Sequence, residues 1–412
     1  MSKKTPQIRF KGFTDDWEER KLKDVLDISK TKNKAQQYGK VDVLSVSREV
    51  GTVNQIKYQG RSFAGSDLSN YKVVQGGELI YTKSPLKGAP YGIFQVATIK
   101  GILSPLYAVY TSTDKAYTPF VAMALKNDNI ATHYLTPLVA KGAKNTINVT
   151  DEGALEGKIQ FPSILEQKQI FIFFKQLDDT IALHQRKLDL LKEQKKGFLQ
   201  KMFPKNGSRV PELRFSGFAD DWEERKLSSG LREYTDRVIV EDDKEYYQIS
   251  VRNNFGGITL RGSKMGNKIG RKRQAKINLT KYPQTLIFTR QTVEQGGIGW
   301  VDKYCDGAIV TENMPTISLD TSVFSKYFLT NLFQTRIFYK NAILDNVEGG
   351  SAQIAIHESK FLSSTLLFPN LDEQEKIGQF FKQLDDTIDL HQRKLDLLKQ
   401  QKKGFLQKMF VS

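Results

Sequence analysis

The feature that most constrains the fold of this chain is that two of its sequence segments each occur twice. Residues 9–22 read RFKGFTDDWEERKL, and residues 214–227 repeat them with only Lys11/Ser216 and Thr14/Ala219 exchanged. The longer segment, FFKQLDDTIALHQRKLDLLKEQKKGFLQKMF at residues 173–203, recurs almost unchanged at residues 380–410. Internal repetition on this scale predicts two copies of one fold rather than a single large core.

The repeated segments flank two inserts, roughly residues 27–160 and 230–367, whose sequences differ. The two inserts nevertheless share similar residues at a few corresponding positions. Leu44-Ser45-Val46 aligns with Ile249-Ser250-Val251, Gly51 with Gly256, Leu79 to Lys83 with Leu286 to Arg290, and Phe161-Pro162 with Phe368-Pro369. Short runs of β-branched and aromatic residues, bounded by Gly, Asn and Pro, predict strands. We call the repeated segments the frames. Because the two frames are nearly identical, they indicate one kind of partner bound twice, whereas the divergent inserts indicate two different targets.

The long repeated segments predict long helices, because apolar residues recur in alternating steps of four and three. The first seam comprises Ile170, Phe174, Leu177, Ile181, His184, Leu188, Leu191, Lys195, Phe198 and Met202, and the second runs in the same way from Ile377 to Met409. Such a narrow stripe needs a second helix to cover it, and its own copy is the obvious candidate. The pattern alone does not separate parallel from antiparallel pairing. His184 and His391 lie in the seam, where a polar layer specifies register.

Charge points to the kind of partner. With 62 basic and 46 acidic side chains the chain carries +16, which favours either nucleic acid or an anionic membrane surface. No stretch approaches the roughly 20 apolar residues that span a bilayer, so we expect no membrane partner and a cytoplasmic location. The charge does not distinguish DNA from RNA. One cysteine, Cys305, and four histidines supply no zinc-ligand cluster, so no structural metal is expected.

At this point the chain resembles the specificity subunits of type I restriction–modification systems over nearly its full length. The resemblance is carried by the paired FxGFxxDWEERKL openings, GELIYTKS at Gly77 to Ser84, the FPxxxEQ turns at Phe161 to Gln167 and Phe368 to Gln374, and the duplicated helices. It implies that each insert is a target-recognition domain for one half of a split site in double-stranded DNA. It also implies two adenine-N6 methyltransferase subunits on the repeated frames, and motor-nuclease (restriction) subunits that hydrolyse ATP.

Catalytic motifs are missing from the sequence. There is no glycine-rich dinucleotide fingerprint, phosphate loop, H-E-x-x-H or G-x-S-x-G elbow. The repeated aspartate pairs, such as Asp178-Asp179, are more typical of solvated faces or helix ends than of metal ligands. We therefore expect a non-catalytic subunit without a cofactor of its own, with S-adenosylmethionine, ATP and Mg on the partner subunits. The alternative is a coiled-coil scaffold that binds protein partners.

Candidate DNA contacts are basic and amide side chains in the inserts, because lysine and arginine neutralise phosphates while arginine and asparagine can bond base edges. The sharpest run is KMGNKIGRKRQAK at 264–276, for which a solvated basic loop is the alternative; an Asn-Asn turn without a DNA role is the alternative for residues 252–254. Trp17 and Trp222 are predicted as core anchors rather than stacking platforms. The candidates are Ser47, Arg48, Lys83, Lys87, Lys141, Lys144, Asn145, Arg252, Asn253, Asn254, Lys264, Lys268, Arg271, Lys272, Arg273, Lys276 and Arg290.

The fold predicted from these observations is α+β, with two strand-rich mixed α/β target-recognition domains joined by two long helices. We expect the helices to form an antiparallel intramolecular coiled coil with a pseudo-two-fold internal repeat, because that arrangement suits a bipartite DNA site. The predicted limits are 1–160 for the first recognition domain with its frame, 161–206 for the first long helix, 207–367 for the second domain with its frame, and 368–412 for the second helix.

Overall fold

The structure is a computed structural model that describes residues 5–48, 50–126, 128–141, 147–205, 207–270, 273–346 and 355–410. Residues 128, 129, 140, 141 and 273 are described by their backbone alone. Contacts divide the chain into two compact units: unit 1 comprises residues 1–183 and 395–412, and unit 2 comprises residues 184–394. Each unit therefore contains one insert and one end of each long helix.

The described elements of the first half, in chain order, begin with two short strands and end with a long helix. The strands are β1 (Glu18–Lys21), β2 (Asp27–Ile28), β3 (Leu44–Ser47), β4 (Gly51–Asn54), β5 (Lys72–Val74), β6 (Leu79–Thr82), β7 (Phe94–Val96), β8 (Gly101–Leu103), β9 (Tyr107–Thr111), β10 (Ala140–Lys141), β11 (Ile147–Asn148) and β12 (Lys158–Phe161). The helices are α1 (Gln55–Gln59), α2 (Thr118–Ala124), α3 (Asp128–Leu135) and α4 (Ile164–Lys201).

The second half continues in the same manner. Its strands are β13 (Glu223–Lys226), β14 (Leu231–Tyr234), β15 (Asp236–Ile239), β16 (Glu245–Val251), β17 (Ile258–Met265), β18 (Arg273–Lys276), β19 (Thr285–Phe288), β20 (Ile298–Trp300), β21 (Ile309–Val310), β22 (Thr316–Leu319) and β23 (Thr365–Phe368). Its helices are α5 (Lys326–Leu332), α6 (Arg336–Phe338), α7 (Glu358–Ser363) and α8 (Leu371–Lys408).

Each unit is built around a four-stranded sheet of the same topology. Its strand order is β2-β9-β6-β7 in unit 1 and β14-β22-β19-β20 in unit 2. The strands β6 and β19 are buried along their whole length. In β6, Leu79 and Tyr81 face one apolar cluster while Ile80 faces another, and Leu286, Ile287 and Phe288 in β19 divide in the same way. A continuous apolar run suits a strand that is covered on both faces.

The repeated opening segments are fastened to the helix starts by a motif that the sequence shows twice. Arg9 donates two hydrogen bonds of 2.8 Å to the two carboxylate oxygens of Glu166, which is fully buried. The neighbouring Gln167 side chain accepts from the Tyr117 backbone N–H at 2.8 Å and donates to the Pro162 carbonyl at 2.9 Å. The Glu-Gln pair of the FPxxxEQ turn thus holds three separate segments of unit 1 together.

Unit 2 repeats this arrangement at every corresponding position. Arg214 forms two bonds of 2.7 Å with the two oxygens of Glu373, and Gln374 accepts from the Ser325 backbone N–H at 3.1 Å. Trp17 and Trp222 are 2% and 0% exposed within the respective cores, which confirms the prediction that they are core anchors. The repeated motif is therefore a structural frame whose charged members are satisfied inside each unit.

The long helices pair in antiparallel fashion inside each unit. In unit 1, the ring centroids of Phe173 and Phe405 lie 5.1 Å apart, and Lys402 forms an ion pair with Asp178. As the residue number in α4 increases, the number of the contacting residue in α8 therefore decreases. This observation confirms antiparallel pairing for the part of the helices in unit 1.

Unit 2 shows the same direction. Lys195 Nζ lies 2.7 Å from Asp385 Oδ1, and the rings of Phe198 and Phe380 are 5.0 Å apart. The seam histidines also meet here, with His184 Nδ1 3.2 Å from His391 Nδ1, as the predicted polar layer requires. Asp178 and Asp385 are thus ion-pair partners of the seam lysines, while their side chains remain 47% and 38% exposed.

Candidate nucleic-acid interface

In unit 2 the most prominent polar feature is the long hairpin formed by β16 and β17. The two strands pair from Glu245↔Met265 to Val251↔Ile258, with an irregularity between Gln248 and Ile249. Beyond its first residues β17 is exposed, and Arg261 and Lys264 lie on this exposed part. A two-stranded β-ribbon is one of the two elements that the major groove of B-DNA admits.

The end of this hairpin carries the predicted candidates Arg252, Asn253 and Asn254. All three are exposed, and the Asn253 side chain donates a 2.7 Å hydrogen bond to Gln295 Oε1. Asn254 N–H donates to the Gln295 carbonyl at 2.7 Å. The Asn253 side chain and the Asn254 backbone are therefore held at defined positions, directly after the exposed Arg252.

The predicted basic run at 264–276 begins on β17 and ends on β18. Lys264 and Lys268 are exposed, and Lys276 Nζ lies 3.9 Å from Asp236 on the paired strand β15. Arg271 and Lys272 lie outside the described residues, and Arg273 is described by its backbone alone. Of these described cations, Lys264 and Lys276 lie on strands of the five-stranded sheet β15-β18-β21-β16-β17, whereas Lys268 lies in the short 3-10 helix between β17 and β18.

The predicted contacts Lys83 and Arg290 occupy corresponding positions and take part in corresponding ion pairs. Lys83 Nζ lies 2.5 Å from Asp151 Oδ1, and Asp151 also binds Lys72. Arg290 donates two hydrogen bonds to Glu358 Oε2, of 2.9 and 2.5 Å. In each unit a basic residue that follows the buried central strand therefore meets a carboxylate from a later segment.

A cleft of about 840 Å³ opens beside Arg290, and Glu233 and Arg237 contribute to its lining. Partial burial raises the pKa of Glu233, and the nearby Glu358 carboxylate raises it further, whereas Arg290 lowers it. Arg237 lies on β15 and is exposed. The cleft thus combines both signs of charge, with Arg237 on the five-stranded sheet and Arg290 just after β19 of the four-stranded sheet.

In unit 1 the corresponding hairpin is short, with Leu44↔Asn54 at one end and Ser47↔Gly51 at the other. The Arg48 guanidinium donates a 2.8 Å hydrogen bond to the Lys87 carbonyl, so these predicted candidates lie together at the end of the hairpin. Lys141 is described by its backbone in β10, and Lys144 and Asn145 lie outside the described residues. The predicted contacts of unit 1 whose side chains the structure describes are thus Ser47, Arg48, Lys83 and Lys87.

Several exposed residues of these hairpins were not among the sequence candidates. In unit 2 they are Arg261 and Phe255, together with Arg237 on β15 of the same sheet, and in unit 1 the apolar Val50 is 58% exposed at the hairpin end. The aligned pairs Gly51/Gly256 marked the turns. Their apolar neighbours have no charged or hydrogen-bonding group by which the sequence alone would indicate a DNA contact.

Within the described part of the chain, no group of three or more His, Cys, Asp or Glu side chains is arranged to hold a metal ion. Among the same residues, none of the helices combines the length and apolarity that crossing a membrane requires.

Two copies of one fold, with the same frame and with differently built hairpins, define a duplicated recognition protein. A sequence model of the type I restriction modification DNA specificity domain matches residues 14–193 and again residues 220–400. The chain therefore belongs to this family and contains two copies of its domain.

Individual relatives agree with this assignment. The type I restriction enzyme MjaVIII specificity subunit of Methanocaldococcus jannaschii is 24% identical over 265 residues, which are 60% of this chain and 60% of that protein. The MjaX specificity subunit of the same organism is 21% identical over 432 residues, covering 95% of this chain and 92% of that one. The S subunit of a type I restriction–modification system from M. genitalium shares the fold, with a TM-score of 0.57, 12% identity and 99% of each chain covered.

Proposed function

We propose that this chain is the sequence-specific DNA-binding specificity subunit of a type I restriction–modification complex, and that each insert reads one half of a bipartite target. The observation that carries the proposal is the contrast within the molecule. The Arg-Glu and Gln contacts of the frame are the same in both units, whereas the exposed hairpins differ in length and in side chains. One architecture thus presents two different reading surfaces.

The described cations and amides of the hairpins are the proposed DNA contacts. Exposed lysines such as Lys264 and Lys268 would neutralise phosphates, which fixes the protein on the duplex without reading sequence. Arg252 and Asn253 at the end of the unit 2 hairpin would bond base edges, since these side chains recognise guanine and adenine. In unit 1 the corresponding proposed DNA contacts are Ser47, Arg48 and Lys87.

Lys83 and Arg290 stand apart from this group, because each is already paired with a carboxylate. We propose that they reach DNA while the carboxylate holds them in place, as charge-assisted pairs restrict side-chain geometry. Among the remaining candidates, Lys141, Lys144, Asn145, Arg271, Lys272 and Arg273 are proposed from the sequence alone.

The repeated frames are the proposed attachment sites of two adenine-N6 methyltransferase subunits, with motor-nuclease subunits recruited to the same complex. S-adenosylmethionine, ATP and Mg would then be bound by those partners, and the complex would act in the cytoplasm. The functional limits proposed for the recognition domains are residues 1–160 and 207–367, with the long helices at 161–206 and 368–412.

The decisive experiment exchanges one insert. Residues 30–158 are replaced by the corresponding insert of a related subunit, and the methylated motif is sequenced in a strain that supplies the methyltransferase. We expect one half of the motif to change and the other half to persist. A motif in which both halves change, or neither does, would contradict the assignment of one insert to one half-site.

A second measurement separates DNA reading from a scaffold that only binds proteins. The purified chain should bind a duplex containing its motif more tightly than a scrambled duplex, with an affinity that falls steeply as salt rises. Equal binding of both duplexes would favour the scaffold. Residues 230–367 provide the matched exchange, which should alter only the other half of the motif.

A further inference from the structure

The turn at the end of the unit 2 hairpin contains an aromatic residue in a conformation that aromatic residues rarely adopt. Asn254 and Phe255 have φ values of 55° and 56°, and Gly256 N–H donates to the Asn253 carbonyl at 3.1 Å to close the turn. Positive φ at both central positions is what a type I′ turn requires, and Asn-Gly is its preferred pair. Phe255 therefore occupies the position where a glycine would be unstrained.

Neighbouring contacts hold this strained residue in place. Phe255 N–H donates to the Gly296 carbonyl at 2.9 Å, and a side chain at position 296 would come within 3.0 Å of the Phe255 ring. Gly296 thus makes room for the ring, which packs over it while the residue remains 41% exposed. Bulky residues at positive φ persist only where their surroundings enforce them, and they concentrate at functional sites.

Unit 1 offers a parallel observation at the aligned position. Val50 precedes Gly51 as Phe255 precedes Gly256, and Val50 is 58% exposed, two positions after Arg48. Each hairpin end thus exposes one apolar side chain within three positions of an arginine, Arg48 in unit 1 and Arg252 in unit 2. The apolar residue differs between the units, as does the insert that carries it.

We propose that Phe255 is a specificity-determining residue that contacts the 5-methyl group of a thymine in the major groove, and that Val50 has the same role in unit 1. The inference rests on the proposed function. A β-ribbon fits the major groove, and thymine is the base that presents an apolar group there. Arg252 and Asn253 bring hydrogen-bonding groups to the same turn, so that the apolar ring and the polar side chains together read adjacent features of the groove.

The test removes the methyl group from DNA and the ring from the protein in turn. The half-site of unit 2 is taken from the insert exchange described above, and each of its thymines is replaced singly by deoxyuridine. We expect one replacement to weaken binding by the wild-type chain about fourfold, the factor expected for burying one methyl group. In Phe255→Gly, the thymine and uracil duplexes should bind equally at that position.

Phe255→Gly also separates recognition from folding, because glycine suits the type I′ turn and should not lower the unfolding temperature. Leu390→Ala, which removes an exposed apolar side chain of α8 that is not proposed to contact DNA, is the control and should leave the uracil penalty in the unit 2 half-site intact. The contact would be overturned if no uracil weakened binding by the wild-type chain, or if the penalty persisted in Phe255→Gly. A wild-type chain that did not prefer its half-site to a scrambled duplex would overturn the proposed function as well.

Discussion

The frames of units 1 and 2 are held by matching ion pairs, whereas their hairpins have little in common. Lys402 pairs with Asp178 in unit 1 as Lys195 pairs with Asp385 in unit 2. By contrast, β3 and β4 contain four residues each, while β16 and β17 contain seven and eight. Charged groups that are paired inside the fold tolerate little substitution, because removing one partner leaves the other charge buried without a counterion. Exposed hairpin residues carry no such penalty and are free to diverge.

The largest expected effect concerns the frame, and it should be equal in the two units. Glu166→Ala leaves the Arg9 guanidinium, 14% exposed, without its carboxylate, and Glu373→Ala does the same to Arg214. Each change should lower the free energy of unfolding of its own unit by about 3–5 kcal/mol. Urea dependence of hydrogen exchange, followed separately in the strands of each unit, measures the loss.

The exposed residue Glu223, on the frame strand β13, provides the control for this comparison. Glu223→Ala should change stability by less than about 0.5 kcal/mol. A loss below about 1 kcal/mol for Glu166→Ala or Glu373→Ala would show that the buried pair does not hold that frame.

The next prediction concerns the ion pairs between the two long helices, and it tests whether they fix the helix register equally in unit 1 and unit 2. Lys195→Asp or Asp385→Lys places like charges together in unit 2, and the double reversal restores an attractive pair. We expect a coupling free energy of about 1–3 kcal/mol from the double-mutant cycle. The corresponding cycle on Lys402 and Asp178 should give the same value within about 0.5 kcal/mol.

The exposed i,i+4 pair Lys175–Asp179 is the matched control, since such surface pairs contribute only about 0.2–0.5 kcal/mol. A coupling in the seam that is no larger than the control would mean that the apolar residues alone determine the register.

The features that could be predicted from the sequence are those that lie in its repeated segments. The duplicated heptads predicted two helices and their mutual cover, and the repeated Trp17 and Trp222 predicted two cores. It did not identify the pairing of Arg9 with Glu166, because these residues are far apart in sequence and only the folded chain brings them together. Heptads are equally compatible with either helix direction; the contact of Lys195 with Asp385 distinguishes them.

The site was harder to predict because its residues lie in the parts that are not repeated. Positive φ at Phe255 depends on the closure of the turn onto Gly296, which no local propensity for phenylalanine indicates. The ion pairs of Lys83 and Arg290 likewise join distant segments. Their basic character was visible in the sequence, but their engagement with carboxylates was not.

The basic run provides a further difference between the units, because the first insert has no comparable run of arginines and lysines. Replacing Arg271, Lys272 and Arg273 by alanine should weaken DNA binding and reduce the slope of log K against log salt by about 0.9 for each phosphate that is no longer neutralised. If one of them reads a base, discrimination at one position should fall by roughly 1–3 kcal/mol. Binding titrations at several salt concentrations measure both quantities.

A triple alanine variant on the exposed face of α4 serves as the control for the reduced positive charge. It replaces Lys187, Lys192 and Lys196. Because these lysines are not proposed to face DNA, their removal should alter the slope less. Unchanged affinity and slope in the first variant would assign the run to a solvated loop.

The smallest effects are expected at the carboxylates beside Lys83 and Arg290, and they should depend on pH through different causes in the two units. Burial raises the pKa of Asp151, but hydrogen bonds and charge attraction from Lys72 and Lys83 outweigh it, so the pKa lies below its ordinary value. A lowered pKa stabilises the fold above the unfolded value of about 3.9, and this contribution is lost as pH falls through the folded pKa. Asp151→Asn should therefore cost about 1–2 kcal/mol at neutral pH and progressively less below about pH 4.

In unit 2 the titrating group is Glu233, whose pKa is raised by partial burial and by Glu358. A raised pKa favours folding below the unfolded value of about 4.3, and this advantage is lost as pH rises through the folded pKa. Glu233→Gln should therefore be slightly more stable than the wild-type chain at neutral pH, with the difference vanishing in acid. Urea unfolding from pH 3 to pH 7 measures both variants against the wild type. A Glu233→Gln variant that is less stable at neutral pH would show that the carboxylate is attracted to Arg290 more strongly than it is repelled by Glu358.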